Sequence, residues 1–180
     1  MTEAYLSLGS NIDRYRHITA ALDALAVHFG ELTISSVFES EAVGFDGSNF
    51  LNLVVGVNTE RPIPELSDLL KQIEDDNGRR RSGPKFSSRT LDIDILTYGD
   101  VVGEEAGVQL PRDELTKNAF VLGPMAEIAP EQRHPERGET YARLWAEYDK
   151  QRQHLWPVDF TWQGRTLSRL GSRAGPHAAP

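Results

Sequence analysis

The chain has 180 residues, 19 Lys and Arg against 27 Asp and Glu, a formal net charge of -8, and no cysteine. That length fits one domain with an ordinary core, expected over residues 1–164 with a flexible tail over 165–180, and the missing cysteine excludes disulfides and thiolate zinc sites. The acidic balance argues against a nucleic-acid partner; no apolar run nears the roughly 20 residues that span a bilayer, and the N-terminus lacks a signal-peptide shape, so the expected home is cytoplasmic.

Ala4–Leu8 alternates as a strand ending at Gly9, after which Ser10, Asn11 and Asp13 offer helix caps. Ile18, Leu22, Leu25 and Phe29 recur at helical spacing, and Gly30 closes that helix. Leu32 to Phe38 alternates as a second strand. A loop with Gly44, Asp46 and Gly47 leads to a third, Phe50 to Asn58, with Leu51, Leu53, Val55 and Val57 on one face. Pro62 and Pro64 introduce a helix carrying Leu66, Leu69, Leu70 and Ile73 and stopped at Gly78. A basic loop then precedes a strand from Leu91 to Tyr98. The order β-α-β-β-α-β predicts an α+β class, the ferredoxin-like antiparallel sheet with helices packed on it. Further helices are expected near Ala119–Ile128 and Thr140–Tyr148 to cover the remaining surface.

The most informative stretch is Ser88-Arg89-Thr90-Leu91-Asp92-Ile93-Asp94-Ile95-Leu96. Asp92 and Asp94 share one face of an extended strand, with Cβ atoms roughly 7 Å apart, while Ile93 and Ile95 point into a core. Asp has poor strand propensity, and two like charges beside apolar neighbours need something to offset their repulsion. Mg²⁺ does so readily, accepting one or two carboxylates plus substrate phosphates. Just upstream, Arg79, Arg80, Arg81, Lys85 and Arg89 follow one another with no acidic residue between. Guanidinium forks fit phosphate bidentately, so this stretch suggests a nucleotide triphosphate with its magnesium. Cations after a helix C-terminus are also ordinary helix-dipole partners, a reading that Arg80 fits equally well.

Asn52 lies between core-facing Leu51 and Leu53, so it presents a donor and an acceptor on the opposite face, suited to a heterocycle edge. Phe50 and Phe120 are each either core aromatics or stacking partners for a flat ring. Gly9-Ser10-Asn11 carries no phosphate-loop pattern and reads as a capped turn. His17, His28, His134, His154 and His177 show no ligand spacing and read as surface residues.

These blocks together resemble the 6-hydroxymethyl-7,8-dihydropterin pyrophosphokinase family of folate biosynthesis. The resemblance rests on Ala4–Asn11, Phe50–Val55, Ile73-Glu74 with Gly78–Arg81, the Asp92/Asp94 strand, and Phe120–Pro130, in that order. It implies an ATP-dependent transferase that moves pyrophosphate from MgATP to the pterin hydroxymethyl group and releases AMP. Two Mg²⁺ ions would sit on Asp92 and Asp94, and Arg79 and Arg89 would join them as catalytic residues. The reduced pterin would lie among Ser40, Val43, Phe50, Asn52 and Phe120. ATP would meet Lys71, Glu74, Arg79, Arg81, Phe86, Arg89, Ile95 and Arg112.

Departures cluster on the ATP side. Ser87-Ser88 replaces the family's Gly-Pro, Phe86 a common Trp, and Lys71 a common Gln. Arg112-Asp113 follows Pro111 where the family often has His, and the arginine expected near Asn118 is missing. Ser40–Val43 also lacks the common proline of the pterin loop. Two further readings therefore stand beside the enzyme: a divergent paralogue that binds a pterin with altered specificity or weak activity, and a ferredoxin-like ligand- or RNA-binding module.

Overall fold

A computed structural model describes residues 1–41, 47–79 and 89–171. Its elements are β1 (Thr2–Ser10), α1 (Arg14–Phe29), β2 (Thr33–Ile34), β3 (Phe38–Ser40), β4 (Phe50–Thr59), α2 (Ile63–Asp76) and β5 (Asp92–Tyr98). They are followed by β6 (Gly103–Glu105), β7 (Val108–Leu110), α3 (Glu114–Lys117), α4 (Ala119–Ile128) and α5 (Tyr141–Glu147). Three short strands end the described chain: β8 (Leu155–Pro157), β9 (Phe160–Trp162) and β10 (Arg165–Ser168).

The main sheet runs β5-β1-β4-β3-β8, with β2 also paired to β4, and every pairing in it is antiparallel. This is the ferredoxin-like arrangement, extended at one edge by β8. The second strand is broken where continuous alternation suggested a single element. At the break the Ser35 hydroxyl accepts from Val54 N at 2.9 Å, while Ser36 donates from N and Oγ to Glu127 at 2.7 and 2.6 Å. The side-chain bonds thus replace ladder bonds, and α4 is tied to the sheet there. Burial pushes the Glu127 carboxyl above its usual range in spite of these two donors from Ser36.

The two sheet faces differ. On one, Leu6, Leu8, Leu51, Leu53, Val55, Ile93 and Ile95 pack against Ile18, Leu22 and Leu25 of α1 and Leu66, Leu70 and Ile73 of α2. Each such fully buried side chain stabilises the fold by about 1.5–3 kcal/mol. The other face is apolar only at one end, where Tyr5, Val54 and Leu96 meet Val121, Leu122 and Met125 of α4 and Tyr141, Leu144 and Trp145 of α5. A Cβ on Gly123 would stand 3.2 Å from the Trp145 ring, so glycine is what lets α4 and α5 approach this closely. A register shift opposite Tyr5/Leu6 turns Leu96 onto this second face.

The C-terminal third differs most from expectation. Residues Arg165–Ser168, placed by the sequence in a tail, form β10 on β9, and the buried Ser168 hydroxyl donates to Val158 O at 2.7 Å. Phe160 and Trp162 join the α1 core, and Trp162 Nε1 donates to Asp23 at 2.9 Å. Strands of three or four residues are too short to show alternation, which is why the sequence hid them. His17 and His134 are buried rather than superficial. His134 Nδ1 accepts the backbone N–H groups of Glu136 and Arg137, closing a tight turn, and burial holds its pKa below the ordinary value. Asp13 begins α1 in a left-handed conformation, and its side chain makes no cap bond. Among the described residues, no helix is long and apolar enough to cross a membrane.

Candidate active site

At the end of β1 the second sheet face turns polar, and a cavity of about 360 Å³ opens there. Its floor follows from strand register. Gly9 is paired with Asn52 of β4 on one side and with Asp92 of β5 on the other, so these three positions form one row across three strands. Adjacent strands lie about 4.8 Å apart, which sets Asn52 and Asp92 roughly 10 Å from each other with bare backbone between them. A Cβ on Gly9 would contact Asn52 Oδ1 at 3.5 Å and Phe50 at 3.7 Å. Glycine therefore keeps the middle of the floor flat.

On the β4 side, Asn52 is buried and its Nδ2 donates to the Ser40 hydroxyl at 2.7 Å. That bond fixes the amide and leaves its oxygen as an acceptor. Phe50 and Ser40 line the cavity from the β4 and β3 strands, and Phe120 and Asn118 line it from the start of α4. The result is a slot with aromatic sides and an amide edge, the geometry that a flat polar ring requires.

On the β5 side, Asp92 and Asp94 face the cavity together. Burial, and then the charge of Asp92, push the Asp94 carboxyl well above its usual range, and the Arg112 guanidinium only partly offsets this. Arg79 Nη1 donates to Asp92 Oδ1 at 2.9 Å and to Leu91 O at 3.1 Å, and lies 3.8 Å from Glu74. Its Nε is buried without a hydrogen-bond partner. Arg112 stands 3.7 Å from Asp94, held by a 2.8 Å bond from its Nε to Glu114. Burial alone would lower the Arg112 pKa, but Asp94 and Glu114 outweigh it, so the group stays charged.

Asn11 links the rims. It is 4 % exposed, donates from Nδ2 to Ser48 O at 3.0 Å, and through Oδ1 accepts Arg89 N at 2.7 Å. Its own N–H donates to Arg89 O at 3.0 Å. The expected capping residue is thus a strut between the segments that enter the cavity from β4 and β5. Sequence alone could not have shown this, because its partners lie 37 and 78 residues away.

The cavity brings together Ser40, Phe50, Asn52, Phe120, Arg79, Arg89, Asp92, Asp94 and Arg112. Glu74 lies beneath it, buried, accepting Ile93 N at 2.8 Å and so supporting β5. Ile95 is in the core on the opposite face and Lys71 is exposed on α2; neither lines the cavity. Val43, Arg81 and Phe86 lie outside the described residues, as do Lys85, Ser87 and Ser88. The sequence reading missed Glu41, Glu114 and Asn118, which also line the cavity. Only the resemblance touched Asn118, and there as a missing arginine.

A ferredoxin-like sheet that sets paired carboxylates and arginines beside a ring slot defines a class of phosphoryl-transfer protein. Residues 5–130 match the family described as 7,8-dihydro-6-hydroxymethylpterin-pyrophosphokinase, and the chain belongs to that family. It is 38 % identical over 137 residues to the 2-amino-4-hydroxy-6-hydroxymethyldihydropteridine pyrophosphokinase of Aquifex aeolicus, covering 75 % of this chain and 85 % of that one. The protein of the same name from Synechocystis is 35 % identical over 159 residues, covering 86 % and 80 %. A crystal structure of Plasmodium falciparum HPPK-DHPS superposes with a TM-score of 0.67 at 15 % identity, which carries the fold alone; the match covers 93 % of this chain and 49 % of that one.

Proposed function

We propose that the chain transfers pyrophosphate from ATP to 6-hydroxymethyl-7,8-dihydropterin, giving the pterin diphosphate and AMP in folate biosynthesis. The observation that carries this reading is the row Asn52–Gly9–Asp92, which sets a ring-edge acceptor and a carboxylate pair a fixed distance apart on one floor. In the reaction the hydroxymethyl oxygen bonds to the β-phosphorus as the bond from that phosphorus to the α,β-bridging oxygen breaks. AMP leaves, and the hydroxyl proton is released.

The chain's own residues supply position and charge, which is most of what such a transfer asks of a protein. Phe50 and Phe120 sandwich the pterin, Asn52 reads its edge, and Ser40 holds Asn52 in place. Arg79 and Arg89 neutralise the phosphates, and Arg112 serves the same phosphates from the β5 side. The unsatisfied Arg79 Nε supports this, because it is a buried donor in need of an acceptor.

The residues also fit Mg²⁺. Among the described residues no cluster of three or more His, Asp or Glu could hold a metal by protein ligands alone, and Mg²⁺ asks for only one or two carboxylates plus phosphate oxygens and water. Asp92 and Asp94 would hold two ions, which supply charge neutralisation and in-line alignment of the triphosphate. The site of action is the cytoplasm, with no membrane or nucleic-acid partner. The test is AMP release by the purified protein with MgATP and the pterin; no AMP above background over varied metal and pH sinks the reading.

A further inference from the structure

The matched family region ends at residue 130, yet a later segment touches both walls of the ring slot. Gln153 reaches the start of α4: its Oε1 accepts Ala119 N at 2.8 Å, and its Nε2 donates to Asn118 Oδ1 at 2.9 Å. Asn118 begins α4 in an extended conformation, and its side chain makes no cap bond of its own. Gln153 therefore does from outside what an N-cap side chain does from within, satisfying the first helical donor. The residue after Ala119 is Phe120, the aromatic wall.

Two residues beyond Gln153 the chain becomes β8, which pairs with β3 on the other wall, Leu155 with Ser40 and Trp156 with Glu39. Trp156 Nε1 donates to Glu39 at 3.0 Å, and Glu39 also takes a 2.7 Å bond from Arg14. Five residues, 153–157, thus join the start of α4, which carries Phe120, to β3, which carries Ser40. The Tyr148 hydroxyl, donating to Lys117 O at 2.8 Å, holds the turn before Asn118 but reaches no other wall.

We propose that this segment is a clasp that sets the width of the ring slot, with Gln153 the positioning residue that places Phe120 and Asn118 against the acceptor. It rests on the pterin reading above. The chemistry it governs is recognition of a flat, amide-edged heterocycle: among the described residues the clasp bonds to none of Arg79, Asp92 and Asp94, and its one route toward the phosphate side is the 3.3 Å bond from Asn118 Nδ2 to Glu114. Loss of its two hydrogen bonds loosens the slot and leaves the nucleotide half alone.

The test uses the full chain and two variants. Gln153→Met keeps the length of the side chain and removes both bonds; Gln153→Glu keeps the acceptor for Ala119 N, with its charge favourable at a helix start. Titration with 6-hydroxymethyl-7,8-dihydropterin, in the presence of Mg²⁺ and α,β-methylene-ATP, is expected to give a Kd raised about five- to tenfold for Gln153→Met. Gln153→Glu should fall between that variant and the unaltered protein. Binding of the nucleotide analogue, and kcat at saturating pterin, should stay within about twofold. Unchanged pterin affinity in Gln153→Met overturns the inference, as does a parallel loss of both ligands, which would mark general loosening. Should Gln153→Met melt early, Gln153→Glu decides: pterin affinity as weak as that of Gln153→Met overturns the clasp. Failure of the unaltered protein to bind pterin overturns the functional reading and the clasp together; normal binding there with a silent Gln153→Met overturns the clasp alone.

Discussion

The two faces of β4 and β5 come from the same residues in alternation, yet they are built to opposite rules. The α1/α2 face is closed and apolar, so each side chain there stabilises the fold by being out of water. The opposite face is apolar at the Tyr5 end and, at the Gly9 end, carries buried or half-buried carboxylates, arginines and an amide. That end costs stability. Asp94 is held well above its ordinary pKa by burial and by Asp92, a cost that the fold does not recover from its own contacts. The comparison teaches that stability and chemistry are separated by a single peptide step: Ile93 and Ile95 serve the first, Asp92 and Asp94 the second.

The largest effect should come from breaking the polar face. Asp94→Asn is expected to lower the rate of AMP release about a thousandfold while leaving the melting temperature unchanged or raised, since it removes a like-charge contact. A fall in both would show that Asp94 holds the fold together. Leu53→Ala tests the other face: about 2–5 kcal/mol lost in urea unfolding, with Kd values for both ligands near those of the unaltered protein in the molecules that remain folded. Its neighbour Asn52→Ala should do the reverse, weakening pterin binding about tenfold or more with only a small change in the unfolding midpoint. If Leu53→Ala and Asn52→Ala behave alike, the separation of the faces is wrong.

The smallest effect concerns Glu39 of β3, which bonds Arg14 and does not line the cavity. Burial raises the Glu39 pKa, but the hydrogen bonds from Arg14, Trp156 and Asn49 outweigh it, and the net value lies below the 4.5 of the free group. A lowered folded-state pKa stabilises above the unfolded value and loses that contribution as pH falls through the folded one. Glu39→Gln should therefore be less stable than the unaltered protein at pH 7 by roughly 1 kcal/mol, with the gap closing below pH 4.5, as thermal melts over that range would show. A gap that persists in acid would refute the ion-pair account.

Much of the arrangement was legible because it rests on local alternation. Leu51, Asn52 and Leu53 announce two faces by themselves, and so do Asp92, Ile93 and Asp94. What escaped depends on partners distant in sequence. Ser36 interrupts a strand because Glu127, 91 residues on, takes both its donors. Asn11 looked like a helix cap and is a strut. Gln153 has no local pattern at all; only the fold brings it to Asn118. Ile95 shows the opposite case, where alternation alone assigned its side chain to the core that the structure displays.

The flat row through Gly9 has a consequence for how such a site can change. The span from the Asn52 amide to the Asp92 carboxylate is measured in strands, not in side chains, so substitution can alter what sits at either mark but not the interval between them. Shortening or lengthening it needs a slip of β4 or β5 along β1, and a slip of one residue would bring Leu51 or Leu53 to the floor and send Asn52 into the core. The sheet is in this sense a ruler with fixed graduations: new acceptors are admitted by reshaping the walls, and the reach of the transfer stays the same.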